Sequence, residues 1–204
     1  IRNNLKAAGR LAKKLGHRLT MHPGPYNKLA TLKPRVLRNT ITDLEMHSTI
    51  FDEMGFSPSY YNKINIHVGA TYGDKERTAE VFCRNFENLS FNLRRRLTVE
   101  NDDRASMYST KDLFEMLFTN IKIPIVHDIH HHRFCDGGLS QEDAIQLAAS
   151  TWPTGTLPVV HYSESRSEEF NDPSIKEHAH SDYIVKKINT YECNLVDTMI
   201  EAKA

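Results

Sequence analysis

Short apolar runs that end in an imidazole or a carboxylate recur along this chain, and this recurrence limits its fold more than any other feature. Arg18-Leu19-Thr20-Met21 leads into His22, residues 63–66 into His67, and Leu97-Thr98-Val99 into Glu100. Pro124-Ile125-Val126-His127 leads into Asp128, residues 157–160 into His161, and residues 196–200 into Glu201. Successive end residues are separated by 45, 33, 28, 33 and 40 positions. Each interval has room for one strand, one helix and their loops, as a βα unit requires.

Helical signals fill the intervals. Ile1, Leu5, Ala8, Ala12 and Leu15 recur at spacings of three and four among lysines and arginines, and Gly16 follows as a cap. Thr42-Asp43-Leu44-Glu45 reads as a capping box that starts a helix, with Leu44, Phe51 and Met54 on its apolar face and Gly55 closing it. Residues 75–94 form one predicted helix with Phe82, Phe86, Leu89 and Leu93 along one side. Further helices are predicted over 111–120, from the Ser140 cap to Ser150, and over 183–190. Strands alternating with helices imply a parallel sheet covered by helices. Polar residues at every strand end point to a (β/α)8 TIM barrel, whose functional residues gather at that face. Six βα units are visible, against about 250 residues for a full barrel. The chain also opens inside a helix. The expectation is one partial barrel domain over 1–204 whose first two strands lie upstream of Ile1.

Composition closes off other classes. Lys plus Arg and Asp plus Glu both count 26, so net charge argues neither for nor against nucleic acid. No 18-residue apolar run or apolar leader is present, so nothing here reads as a membrane span or signal peptide. Cys83, Cys135 and Cys193 are too few and scattered for a disulfide framework, and they fit a reducing, intracellular setting. No strand is followed by Gly-x-Gly-x-x-Gly, which counts against a dinucleotide fold, and there is no Walker loop.

If the sheet closes, His22, His67, Glu100, Asp128, His131, His161 and Glu201 share one bowl. Three packed carboxylates repel one another without cations. The ligands outnumber the roughly three that one catalytic zinc takes from protein. Two or three divalent ions are the simplest occupants. Closely spaced metals generate hydroxide and clamp both oxygens of a phosphoryl displacement, so phosphodiester hydrolysis leads. Metal-assisted sugar isomerisation uses similar ligands and stays open. So does a degenerate domain that binds damaged DNA without cutting. His127 and His132 are read as non-ligands, one turned away by strand alternation and the other further out on the loop, and His130 as standing behind the ligands. His17, His47 and His178 are read as surface or helix residues. Arg94-Arg95-Arg96 is read as a solvated helix end, and Asn101, Asp102 and Asp103 as turn formers.

Together the motifs resemble the UV damage endonucleases, metal-dependent barrel enzymes similar to endonuclease IV. The carriers are Met21-His22-Pro23-Gly24, Ile66-His67-Val68-Gly69 with Gly73-Asp74-Lys75, Val99-Glu100-Asn101-Asp102-Asp103 and Asp128-Ile129-His130-His131. They continue with His161-Tyr162-Ser163-Glu164-Ser165, His180-Ser181-Asp182-Tyr183 and Met199-Ile200-Glu201-Ala202-Lys203. The resemblance implies incision of double-stranded DNA on the 5′ side of UV photoproducts by a monomer. It implies three divalent ions, manganese first among them, with magnesium or zinc as alternatives. It assigns His22, His67, Glu100, Asp128, His131, His161, His180 and Glu201 as ligands, with Glu100, Asp128 and Glu201 catalytic. His180 rests on the resemblance alone. Pro25 and Tyr26 stand where relatives carry glutamine and an aromatic that probe the lesion; Tyr26 can still stack, whereas Pro25 offers no polar side chain. Val159 replaces a lysine that bridges metals in many relatives.

Overall fold

The computed structural model describes residues 1–191 and 195–203; Cys193 lies outside the described residues. The chain folds as two compact units: Ile1–Val99 with Asn120–Pro124, and Glu100–Thr119 with the chain from Ile125 onward.

In the first unit, α1 (Arg2–Lys14) packs on α2 (Pro34–Glu53). The face that is buried differs from the expected stripe. Gly9 and Ala12 are buried, whereas Ile1, Leu11 and Leu15 are exposed. The helices meet by close backbone approach: a Cβ on Gly9 would lie 1.9 Å from the Met54 carbonyl oxygen. Gly16 then leaves α1 with φ +69°, as expected of a helix-terminating glycine. α2 begins at Pro34, well before the anticipated box at Thr42. Proline's fixed φ suits the first helical turn, and the buried positions Thr40, Leu44, Ser48 and Phe51 carry one face straight through that box.

The strand expected over 18–21 is reduced to one parallel bridge. The Met21 N–H donates to the Lys63 carbonyl at 3.0 Å, and the Asn65 N–H donates to the Met21 carbonyl at 2.9 Å. β1 (Ile64–Ile66), α3 (Lys75–Glu87), α4 (Phe91–Arg94) and β2 (Leu97–Glu100) follow. β1 and β2 pair in parallel, Ile64 against Leu97 and Ile66 against Val99. The single helix expected over 75–94 breaks after Glu87, because Ser90 caps a new turn. Its hydroxyl accepts from the Leu93 N–H at 3.2 Å, while Glu45 accepts from the Ser90 N–H at 3.0 Å. Arg96 is also not solvated. It is fully buried, paired with Asp52 at 2.7 Å, and donates to Ser48 Oγ and the Phe56 carbonyl. A buried charge is tolerated when it is paired and hydrogen-bonded in this way.

In the second unit, α5 (Thr110–Leu113) runs through a π-turn, Phe114–Phe118, into α6 (Thr119–Ile121). β3 (Ile125–Asp128), α7 (Ile129–His132), α8 (Gln141–Ser150), β4 (Val159–Tyr162), α9 (Arg166–Phe170) and β5 (Asp197–Ile200) complete it. β3, β4 and β5 are parallel neighbours. β3 and β4 are buried throughout, as strands covered on both faces should be. Ser140 caps α8 as expected. The helix predicted over 183–190 does not form. Backbone N–H groups of Val185 and Lys186 donate to Glu164 Oε1 at 3.1 and 2.7 Å, which replaces helical partners with a carboxylate. No helix among the described residues is long and apolar enough to cross a membrane, and neither Cys83 nor Cys135 is in a disulfide.

Candidate metal centre

Parallel pairing sets the level of each strand-end residue in the second unit. Asp128 and His161 are partners across β3 and β4, and the ladder continues past β5 where the Glu201 N–H donates to the Tyr162 carbonyl at 2.9 Å. Three functional side chains therefore arrive together. His161 Nδ1 lies 3.1 Å from Glu100 Oε1 and 3.0 Å from Glu201 Oε1. Glu100 and His161 are fully buried. One imidazole nitrogen between two carboxylates, with ligand atoms within 4.8 Å of one another, is a donor set suited to a divalent cation.

His131 and His180 flank this group. His131 Nδ1 lies 3.8 Å from Glu100 Oε1, His131 Nε2 lies 3.3 Å from His180 Nε2, and His180 Nδ1 lies 3.7 Å from Glu201 Oε2. His180 reaches this place because its segment returns along Ser165 as an antiparallel bridge. Burial pushes its pKa down, with the Asp128 charge opposing and His131 adding to the shift.

Asp128 spends one oxygen as the cap of α7, accepting from the His131 N–H at 2.7 Å. Its Oδ2 is buried with no hydrogen-bond partner, and so is His180 Nδ1. Leaving such groups unsatisfied costs about 1–3 kcal/mol each. Cation coordination would satisfy both, so the residues fit a metal. Burial, with the Glu100 charge adding to it, raises the Asp128 carboxyl above its usual range, with His131 opposing. A nearby cation would reverse that push.

Asn101 is the residue that sequence reading missed. Its side-chain amide donates to the Asp128 carbonyl at 3.1 Å, and its oxygen accepts from the Asp128 N–H at 2.7 Å. Its own carbonyl sits 2.9 Å from His131 Nδ1. That contact makes Nδ1 the protonated nitrogen and leaves Nε2 as the ligand atom. Only its place directly after Glu100 pointed to it.

His132 lies buried in α7 rather than further out on a loop. His127 turns away to Thr110 Oγ1 at 2.8 Å and to the Gln141 amide, and burial holds it neutral with a pKa lowered to about 3. His132 donates to the Leu139 carbonyl at 3.2 Å. His130 packs edge-on against His180 at 5.2 Å between centroids. Val159 is buried.

In the first unit, His22 and His67 lie side by side with ring centroids 5.7 Å apart, His22 exposed and His67 half-buried. Pro25 is exposed, and Tyr26 presents 87% of its surface to solvent.

The family model for UV-endonuclease UvdE matches residues 1–204. A UV DNA damage endonuclease of Bacillus mycoides (strain KBAB4) is 36% identical over 96% of this chain and 61% of its own length. The UV-damage endonuclease of Schizosaccharomyces pombe (strain 972 / ATCC 24843) is 35% identical over 98% of this chain and 34% of its own length. The chain thus spans about three fifths of the first of these relatives and one third of the second. The crystal structure of SacUVDE superposes with TM-score 0.83 at 32% identity, covering 98% of this chain and 65% of that one. A D-tagatose 3-epimerase-like protein superposes with TM-score 0.68 at 13% identity over 99% of this chain and 77% of that one, a likeness of fold alone. The expected fold class stands: these are βα units of a TIM barrel, matching part of one.

Proposed function

Because this chain belongs to the UV-endonuclease UvdE family, we propose that it carries the metal-binding portion of a DNA repair endonuclease that nicks DNA 5′ of UV photoproducts. The observation that supports this most is the convergence of Glu100 and Glu201 on one imidazole nitrogen of His161, with Glu100 and His161 fully buried. Glu100, Asp128, His131, His161, His180 and Glu201 are the proposed ligands in the second unit, and His22 and His67 are proposed as ligands from the first. Divalent cations, three in number and manganese by preference, would supply a hydroxide nucleophile and neutralise the developing charge on the phosphate oxygens.

The chain's own residues do the rest. Asn101 fixes the Asp128 backbone and the His131 tautomer, so both present lone pairs without reorganisation. Burial shifts His180 toward the neutral form, which offers a lone pair. Tyr26, exposed on its loop, stacks as a wedge against an unpaired base, a contact worth about 1–3 kcal/mol. Damaged pairs unstack at lower cost than sound ones, which supplies part of the selectivity. The protein acts inside the cell as a monomer on double-stranded DNA.

The test is conversion of supercoiled plasmid to nicked circles in Mn2+. Irradiated plasmid is expected to be nicked and unirradiated plasmid to stay closed. Equal nicking of both removes the lesion specificity. No nicking, together with ketose interconversion in a sugar screen, would transfer the site to the isomerase reading.

A further inference from the structure

His180 lies outside every helix and strand, in a single antiparallel bridge with Ser165. The described chain from Asn171 to Tyr191 forms no helix or strand either, so no ladder carries this imidazole to its place beside His131 and Glu201. Backbone outside regular structure loses conformational freedom residue by residue when it is fixed, so other bonds must hold it.

The bonds that do so meet at Glu164. Ahead of His180, the Arg166 N–H donates to the Ala179 carbonyl at 2.8 Å, and the Ser165 hydroxyl donates to the Glu177 carbonyl at 2.7 Å. Directly after it, the Ser181 N–H donates to the Glu164 carbonyl at 2.8 Å, and Ser181 Oγ accepts from the Glu164 N–H at 3.2 Å. Ser181 is fully buried, and its carbonyl accepts from the Lys203 N–H at 3.0 Å. Residues shortly after His161, His180 and Glu201 are thereby tied to one another. The Glu164 side chain reaches further along the same segment. Glu164 is buried, and its Oε1 accepts from the Tyr162 hydroxyl at 3.3 Å and from the Val185 and Lys186 N–H groups at 3.1 and 2.7 Å. A carboxylate suits this task because its oxygens accept several donors at once.

One residue therefore brackets His180: Glu164 holds position 181 with its backbone and positions 185–186 with its side chain. Glu164 is not among the proposed ligands. We propose that Glu164 is the positioning residue of His180, acting on the metal centre only through the place it gives that imidazole. The role rests on the reading of His180 as a ligand. Outer partners of this kind orient the ligands they support, and losing one typically weakens metal binding about 10- to 100-fold.

The test is a double-mutant cycle on Mn2+ affinity, measured by calorimetric titration of the full chain. Glu164→Ala is expected to weaken Mn2+ binding about 10- to 100-fold. Glu164→Gln keeps an oxygen at the Oε1 position and is expected to bind like the unaltered chain. His180→Ala is expected to lose at least as much as Glu164→Ala, and adding Glu164→Ala to it should cost nothing further, because the two act as one unit. A second readout needs no metal: the imidazole signals of the 15N-histidine spectrum that vanish in His180→Ala should move in Glu164→Ala and stay in Glu164→Gln. Glu164→Asp keeps the charge but draws the carboxylate back by one methylene. It is expected to move the same signals and weaken Mn2+, and it carries the test should the alanine variant fail to fold. Unchanged Mn2+ affinity in Glu164→Ala and Glu164→Asp overturns the proposal. So does a full further loss from Glu164→Ala in the His180→Ala background, which would mark general structural support. Unchanged affinity in His180→Ala removes His180 from the metal set and this role with it. None of these readouts is plasmid nicking, which tests the endonuclease reading separately.

Discussion

Replacing Glu100 by Gln should uncouple thermal stability from metal. Glu100 and Glu201 each place an oxygen about 3 Å from His161 Nδ1, with all three ligand atoms within 4.8 Å of one another. Two unit charges at that separation repel by about 3–4 kcal/mol at an effective dielectric of about 20. A divalent cation turns that repulsion into attraction, so the folded state gains stability by mass action. At free Mn2+ about 100 times the dissociation constant, the gain is about 2.7 kcal/mol. A domain of this size shifts by about 2–4 °C per kcal/mol, which gives about 5–11 °C. Loss of a mere supporting partner weakens metal affinity about 10- to 100-fold, so loss of a charged ligand should cost at least 100-fold. At the same Mn2+ the Glu100→Gln gain then falls to about 0.4 kcal/mol, or about 1–2 °C. The assay is differential scanning fluorimetry across a Mn2+ series, with a chelator as the zero point. A Glu100→Gln protein that keeps the full Mn2+ shift would refute the assignment of Glu100 as a ligand, whatever its nicking activity.

Two further outcomes concern the scaffold. Gly9→Ala should lower Tm by up to about 8 °C in thermal melts: the new Cβ would collide with the Met54 carbonyl, and overpacking of about 1–3 kcal/mol is set against the roughly 1 kcal/mol of helix propensity gained. A higher Tm would mean that α1 does not pack as described. Glu168 is held down to about pKa 2 by hydrogen bonds from Lys186 and Arg133. Its folded value lies below the ordinary 4.5, so its contribution is present above that pH and is lost as pH falls toward 2. The pair is well exposed, so Glu168→Gln should cost no more than about 1 kcal/mol at pH 7. The gap to wild type should close between about pH 4.5 and 2 in denaturant titrations, and a gap that persists at pH 2 would contradict the ion-pair account.

Glu100, Asp128 and His161 were legible because they close short, mostly apolar runs that form fully buried strands. Glu201 follows Asp197-Thr198-Met199-Ile200, a more polar and less buried strand, and was marked more weakly. The strand before His22 amounts to one bridge at Met21; the four residues Arg18-Leu19-Thr20-Met21 do not reveal how many rungs will form. Helix limits were less legible because long-range partners decide them. Ser90 breaks the 75–94 stretch with help from Glu45, and Glu164 captures the backbone of 185–186, neither of which periodicity can see. Arg96 looked like part of a solvated triplet because its partners, Ser48 and Asp52, lie far back in the chain. His180 carried no local signal for its place beside His131 and Glu201 beyond the family motif.

The Asn101–Asp128 pair has a consequence for substitution. A carboxamide is gripping both backbone groups of one residue, and that task needs a donor and an acceptor at a fixed short reach. Aspartate would face the Asp128 carbonyl with an oxygen and add a fourth negative charge to the pit; glutamine would overshoot by a methylene; serine would fall short. Position 101 therefore tolerates less chemical variety than a residue outside the ligand shell ordinarily would, and damage there would register as a displaced aspartate rather than a missing one.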